Sequence, residues 1–312
     1  MIPLIPSLIL SFVTCVITIP IFGKIAYKYG IVDKPHGTLK PHERVTPYLG
    51  GIAIFLGVLI STPFEIITKL SLTILVVLGL LDDILDTNPK VRLVVEFIVS
   101  FLLVYKYLGF TLLTPLYCFL VVALINATNM LDGMDGVCAS VAIISAIGLC
   151  FVVSSKYDVN LLISLIGALS GYLIYNFPPA RIFMGDSGSY LVGGILSIGL
   201  LSSLRNAPSN ISYIIASFIF ISLFLFDLTS GVLRRLANKK PLFSGDREHV
   251  YDKIHKKLKD KRKTLYIVTA IQTFFFSIGY FGKSNLTTSL YALIITIICY
   301  ITLAKILKLL SY

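Results

Sequence analysis

Long apolar runs recur along almost the whole chain, each bounded by a short stretch of polar and charged residues. Most have the length an α-helix needs to cross the hydrocarbon core of a bilayer. The pattern predicts eleven spans, at about 3–22, 49–64, 67–81, 91–108, 112–131, 136–155, 159–176, 189–203, 210–232, 264–281 and 286–308. No soluble domain, repeat or low-complexity linker interrupts them. The expected fold class is therefore all-α, a polytopic transmembrane helical bundle in which residues 1–312 form a single integral membrane domain. The first run lacks a basic leader and a small-residue cleavage site, so it reads as a retained helix rather than a signal peptide.

Composition agrees: 56% of residues are hydrophobic and 14% charged, where a soluble domain has about a quarter charged. The net charge of +11 sorts by side of the membrane, and no nucleic-acid partner is expected. Loops at about 23–48, 82–92, 177–188 and 233–263, with the C-terminal end, hold 22 of the 27 Lys and Arg residues. Positive-inside bias makes that set cytoplasmic, with the N-terminus outside and the C-terminus inside, in a multi-pass plasma-membrane protein. The acids repeat the asymmetry, which that bias does not require. Only Glu65 and Asp158 fall on the outer side, and the other fourteen lie in cytoplasmic loops or adjoining spans. An active face at the cytoplasmic side sorts carboxylates this way. The five cysteines, Cys15, Cys118, Cys138, Cys150 and Cys299, lie in or at the edges of apolar runs without a CxxC pair. They read as small buried apolar residues, not as a zinc site or disulfide framework.

Four polar clusters interrupt the apolar pattern. The first, Asp82-Asp83-Ile84-Leu85-Asp86, closes the third run. On a continuing helix Asp82 and Asp86, or Asp83 and Asp86, share a face. Crowded carboxylates there hold a divalent cation, pair with a base, or keep a proton. Lys90 and Arg92 follow, suited to phosphate or marking the inner face. In the second cluster Asn126, Asn129 and Asp132 recur every three residues, ahead of Gly133, Asp135 and Gly136. Amide and carboxylate oxygens suit a hard cation, and the glycines let the backbone turn tightly and approach a ligand.

The third cluster, from Pro178 to Ser189, contains Arg181, Phe183, Gly185, Asp186, Ser187 and Gly188. Ser187 and Ser189 are suited to cap the following helix, whose free N–H groups would then face an anion. Asp186 among such amides makes sense with a cation between them. The fourth is the basic loop from Arg234 to His249. Val250, Ile254 and Leu258 then predict a short amphipathic helix capped by Asp246, and the lysines from Lys256 to Lys263 read as contacts to anionic lipid. Arg234, Arg235, Arg247 and His249 are candidates for a pyrophosphate clamp. Asp227 is expected to pair with a loop arginine, while Glu96 has no obvious role.

These clusters, in this order, resemble the polyprenyl-phosphate N-acetylhexosamine-1-phosphate transferase superfamily, glycosyltransferase family 4. The likeness begins with Asp33-Lys34-Pro35 and Thr46-Pro47-Tyr48-Leu49-Gly50-Gly51 and ends with Asp246-Arg247-Glu248-His249. Its fold and activity would be those of a membrane enzyme that moves a sugar 1-phosphate from a UDP-sugar to a polyprenyl phosphate such as undecaprenyl phosphate. UMP would leave, and Mg²⁺, with Mn²⁺ as a substitute, would be the cofactor. By position the resemblance implies Asp186 and Asn129 as metal ligands, and Asp82 and Asp83 as base or lipid-phosphate positioners. Asp132, Asp135 and Gly133 would contact the nucleotide, Arg92 and His249 the pyrophosphate. Arg247, Gly185, Asn126 and Phe183 would be further substrate contacts. Two departures stand out: Val250-Tyr251-Asp252 follows His249 where family members commonly carry more histidines, and the TPYLGG segment differs from the TPTMGG of the muramoyl-pentapeptide branch. The second, with eleven spans, favours the GlcNAc-type branch. An intramembrane prenyltransferase would need a second acidic motif of the DDxxD type, and a transporter would place charges near the bilayer midplane. The sequence leaves the donor sugar, the chain length of the lipid and the oligomeric state open, a homodimer included.

Overall fold

The computed structural model describes residues 3–33, 45–63, 65–85, 87–205, 210–241 and 246–311. Among them are thirteen helices and one short ribbon: α1 Leu4–Tyr29, α2 Gly50–Ser61, α3 Ile66–Leu85, α4 Pro89–Leu108, α5 Thr114–Leu131, α6 Val137–Cys150, α7 Lys156–Asn176, α8 Gly185–Arg205, α9 Ile211–Phe220, α10 Ser222–Ala237, α11 Val250–Leu258, α12 Lys261–Gly282 and α13 Leu286–Leu307. In the ribbon, β1 (Val32–Asp33) pairs antiparallel with β2 (Thr46–Pro47), Asp33 opposite Thr46.

Each predicted run contains a helix, and the chain is an all-α membrane protein. Six helices, α1, α5, α7, α8, α12 and α13, are long and apolar enough to cross a membrane. The 20-residue α3 and α4 carry charges at their ends, Asp82, Asp83 and Arg92 among them, while α2 and α6 are shorter apolar helices. The ninth run departs from expectation. It is broken into α9 and α10, which bend by 63°. At the break the buried Gln272 amide on α12 donates to the Phe220 carbonyl at 2.7 Å, a side chain inserted at the bend of the kind that accompanies helix kinks.

The bundle is organised around α8, whose apolar stretch is 94% buried. Its glycines and serines let neighbouring backbones close on it. A Cβ on Gly79 of α3 would lie 2.3 Å from the backbone nitrogen of Ser187, and one on Gly51 of α2 2.3 Å from that of Gly188. Two helices thus touch the first turn of α8 backbone to backbone, which fixes that turn in space.

Acidic residues occupy both ends of the bundle. At one end Glu65 pairs with Lys106, and Asp158 accepts hydrogen bonds from Tyr107 at 2.6 Å and Ser202 at 2.7 Å. Asp82 and Asp83 are at the other end of α3, about 27 Å along the helix from Glu65.

Candidate active site

The C-terminal end of α3 meets the N-terminal turn of α8. Asp83 accepts hydrogen bonds from the backbone N–H groups of Asp186 at 3.0 Å and Ser187 at 3.4 Å. The helix start was expected to offer free N–H groups to a ligand. Instead an internal carboxylate takes them, because the first amides of a helix lack intrahelical partners and form its positive end. Nor do Ser187 and Ser189 cap the helix. They lie inside the helix, in its first two turns, and donate to the carbonyls of Met184 and Asp186, each at 3.3 Å. Gly185 has φ +67°, and a Cβ there would stand 2.4 Å from Asp83 Oδ2, so only glycine fits between the two elements.

Asp82 turns the other way. Its buried carboxylate accepts from Thr87 N–H at 2.9 Å, Thr87 Oγ1 at 2.6 Å, Tyr190 hydroxyl at 3.1 Å and the Arg92 guanidinium. The same guanidinium lies 3.9 Å from Asp186 Oδ2. Asp186 in turn accepts from Asn129 Nδ2 of α5 at 2.6 Å, and that amide also reaches Ser189 Oγ at 3.0 Å. Asp82, Asp83, Arg92, Asn129 and Asp186 therefore form one connected group. Asp86, Lys34 and Pro35 lie outside the described residues.

Asp132 follows the last turn of α5. It is half-buried, and among the described residues no hydrogen bond reaches its carboxylate. Burial, then the fields of Asp186, Asp83 and Asp135, push its pKa well above the ordinary carboxylate range. Asp135, by contrast, ties loops together: it accepts from Ala180 N–H and Lys261 Nζ, each at 3.1 Å. Gly133 was expected to leave room for a ligand, but that room is filled, since a Cβ there would meet the Tyr251 hydroxyl at 1.9 Å. Its carbonyl accepts from Arg247 Nη1 at 2.9 Å. Asn126 is turned toward the buried Glu96, to which it donates, giving that acid a partner the sequence did not reveal. Phe183 joins its loop to the ribbon, with its N–H on Pro47 carbonyl at 2.8 Å and its own carbonyl accepting from Gly50 at 3.0 Å.

The basic loop differs most from expectation. Asp227 pairs with a histidine rather than an arginine: its Oδ2 is 2.7 Å from His249 Nδ1. Arg234 and Arg235 hold Asp246 instead, Arg234 at 2.8 and 3.0 Å and Arg235 at 3.3 Å, and Arg234 is fully buried. Two of the expected clamp residues thus tie the loop to α10. With Asp246 engaged there, His249 takes the N-cap of α11, and its N–H reaches Asp252 at 3.3 Å. Burial disfavours protonated His249, but Asp227, Asp246 and Asp252 outweigh it and leave the pKa raised.

Tyr48, Thr87 and Tyr190 were missed by the sequence reasoning. Tyr48 donates to the Asp83 carbonyl at 2.8 Å. Burial, then Asp83, Asp33 and Asp186, push its phenol up, which places Asp33 of β1 in the same field. The signal for Tyr190 was its position four residues after Asp186, on the same helix face. Nothing local marked Thr87.

The family model for Glycosyl transferase family 4 matches residues 66–204, from α3 to α8. A Bacillus subtilis protein named "Probable undecaprenyl-phosphate N-acetylglucosaminyl 1-phosphate transferase" is 32% identical over 280 residues, covering 81% of this chain and 78% of its own. The chain belongs to glycosyl transferase family 4. Two further relatives are named "Undecaprenyl-phosphate alpha-N-acetylglucosaminyl 1-phosphate transferase". The Thermotoga maritima protein is 28% identical, covering 88% of this chain and 87% of its own, and the Escherichia coli K12 protein is 28% identical, covering 82% and 77%.

Among the described residues no three His, Cys, Asp or Glu side chains make a ready cage for a metal ion. Mg²⁺ does not require one, since it is commonly held by one or two carboxylates with substrate phosphates and water completing the shell. Asp186, the Asn129 amide bonded to it and the unpartnered Asp132 supply that kind of donor set, so the residues fit such an ion.

Proposed function

We propose that this protein transfers N-acetylglucosamine 1-phosphate from UDP-N-acetylglucosamine to undecaprenyl phosphate, releasing UMP, as a lipid-linked step of cell-envelope glycan synthesis. The observation that carries the assignment is the meeting of Asp83, Asp186, Asn129 and Arg92 at the start of α8. The names of the relatives support the sugar and the lipid.

In this reaction an oxygen of the lipid phosphate attacks the phosphorus that bears the sugar. The bond from that phosphorus to the bridging oxygen breaks, and UMP leaves with the electron pair. A lipid phosphate is largely ionised near neutral pH, so holding it in line matters more than removing a proton. Asp186, Asn129 and Asp132 would hold Mg²⁺, or Mn²⁺ in its place, which supplies neutralisation of the diphosphate charge when bound. Arg92, oriented by Asp82 and Tyr190, would add a second positive charge beside the phosphates. Asp83 would act on position, fixing the turn that carries Asp186. Arg247, joined to the turn after Asn129 through Gly133, would take the nucleotide side, and His249 the donor's phosphates.

The same proposal places this end of the bundle in the cytoplasm, with eleven membrane segments, the ninth being the α9–α10 pair. The charge asymmetry of the loops supports that orientation. The deciding experiment uses the purified protein with Mg²⁺, undecaprenyl phosphate and a panel of UDP-sugars. Mass spectrometry of the lipid should show undecaprenyl-diphospho-N-acetylglucosamine together with stoichiometric UMP. Another sugar on the lipid would correct the donor, and no lipid product with any UDP-sugar would end the assignment.

A further inference from the structure

Asp227 on α10 is fully buried, and both of its carboxylate oxygens are engaged by consecutive residues. Oδ2 lies 2.7 Å from His249 Nδ1, and Oδ1 accepts from the Val250 N–H at 2.8 Å. At the other edge of the imidazole, Nε2 stands 3.5 Å from Asp246 Oδ1, too long for a strong hydrogen bond. Asp246 is itself held by Arg234 and Arg235. The ring lies nearly parallel to Tyr251, with centroids 5.7 Å apart and planes at 10°. The Tyr251 hydroxyl reaches the Met130 carbonyl at 3.2 Å, so the unit is tied to the chain beside Asn129.

A carboxylate oxygen only accepts, so Nδ1 facing Asp227 must carry a proton in either charge state of the ring. Nε2 is then the nitrogen whose partner is weakly held and exchangeable. We propose that Asp227 is the positioning residue for His249, fixing the ring and its Nδ1 proton so that the protonated ring offers its Nε2–H to a phosphate oxygen of the donor. This role rests on the proposed transfer reaction. It accounts for an acid buried on α10 that faces a histidine while the neighbouring arginines hold a different acid.

The charged and titratable groups facing the ring are Asp227 from α10, Asp246 from the preceding loop, and Asp252 and Tyr251 from α11. Arg234 and Arg235 are behind Asp246, and Arg247 is 3.9 Å from Asp252. Asp227→Asn keeps the shape and removes the charge. It is expected to lower kcat for UMP release at least about tenfold and to move the alkaline limb of the pH profile down by about one unit. In a His249→Ala background the same substitution should cost less than about twofold, because the group it acts through is gone. Asp227→Glu, which keeps the charge, should return the alkaline limb toward the wild-type position. An additive loss in the double variant, or an unmoved alkaline limb, would overturn the role. Wild-type turnover, measured alongside, separates this outcome from failure of the reaction assignment. Thermal unfolding against pH gives a readout without turnover: Asp227→Asn should flatten the wild-type slope, and an unchanged slope overturns the pairing whatever the activity.

Discussion

At the scale of single residues, the site is a set of carboxylates told apart by their partners. Asp82 has four donors and Asp83 has two backbone amides, so neither is free to move a proton without breaking a contact that shapes the site. Asp186 takes one amide donor, from Asn129, lies beside Asp82 and the Arg92 guanidinium, and shares its field with Asp132, whose carboxylate has no hydrogen bond among the described residues, so it is the carboxylate with capacity to spare for a cation. Asp186→Asn keeps the volume and the link to Asn129 while removing the charge. Transfer should fall by about two to three decades, the effect of losing ~3–4 kcal/mol of transition-state stabilisation, with folding preserved. UMP release across a Mg²⁺ titration checks this, and retained activity with an unchanged Mg²⁺ midpoint would remove Asp186 from the metal site. His249 carries a stability prediction. Its folded pKa is raised above the ordinary 6.5, so its contribution is fully present below that value and is lost as pH rises through the folded pKa. The wild type should therefore lose thermal stability relative to His249→Gln on going from about pH 6 to about pH 9. Parallel unfolding curves across that range would contradict it.

At the scale of elements, the first turn of α8 is placed by close contact rather than by side-chain interdigitation. Gly79 of α3 and Gly51 of α2 bring main chain against main chain, and the Asp83 carboxylate then crosses to the amides of Asp186 and Ser187. Any methyl group in that seam must push α3 and α8 apart. Gly79→Ala is expected to destabilise the protein by about 1–3 kcal/mol and to lower transfer more than Asp227→Glu does, because it displaces Asp186 from Asn129. Thermal unfolding and turnover measured on the same preparation test it; wild-type values in both would show that the seam relaxes without consequence. The broken α9–α10 pair is different. There an amide on α12 donates to a main-chain carbonyl at the bend, and α10 leaves on a new heading that brings Asp227 to His249.

At the scale of the whole molecule, polarity separates into two ends. The connected carboxylates, Arg92, Arg247 and His249 gather at one end of the bundle, and the Glu65–Lys106 pair and Asp158 lie at the other. The proposed orientation, with the first end in the cytoplasm, predicts that single cysteines at positions 135, 186 and 249 in a cysteine-free background resist a membrane-impermeant reagent in intact cells. They should label once the membrane is opened. Efficient labelling from outside would invert the topology.

The long apolar runs by themselves determined the helical class and where the long helices lie, though not the break in the ninth run, because a membrane-spanning helix needs a continuous apolar stretch and little else. The same local logic marked Asp83, Asn129 and Asp186, since polar residues emerging from apolar helices are costly without a function. It could not tell how those residues divide their work. Whether Asp83 faces a ligand or the amides of α8 depends on where two helices distant in sequence cross, and that crossing is set by Gly79 and Gly51, silent in any local pattern. The sequence suggests an arginine partner for Asp227; the break at Ile221 and the pairing of Arg234 and Arg235 with Asp246 bring it to His249 instead. Charge counts are additive along a sequence, but hydrogen-bond partners are chosen in three dimensions, where each donor can satisfy only the few acceptors that packing brings within about 3 Å.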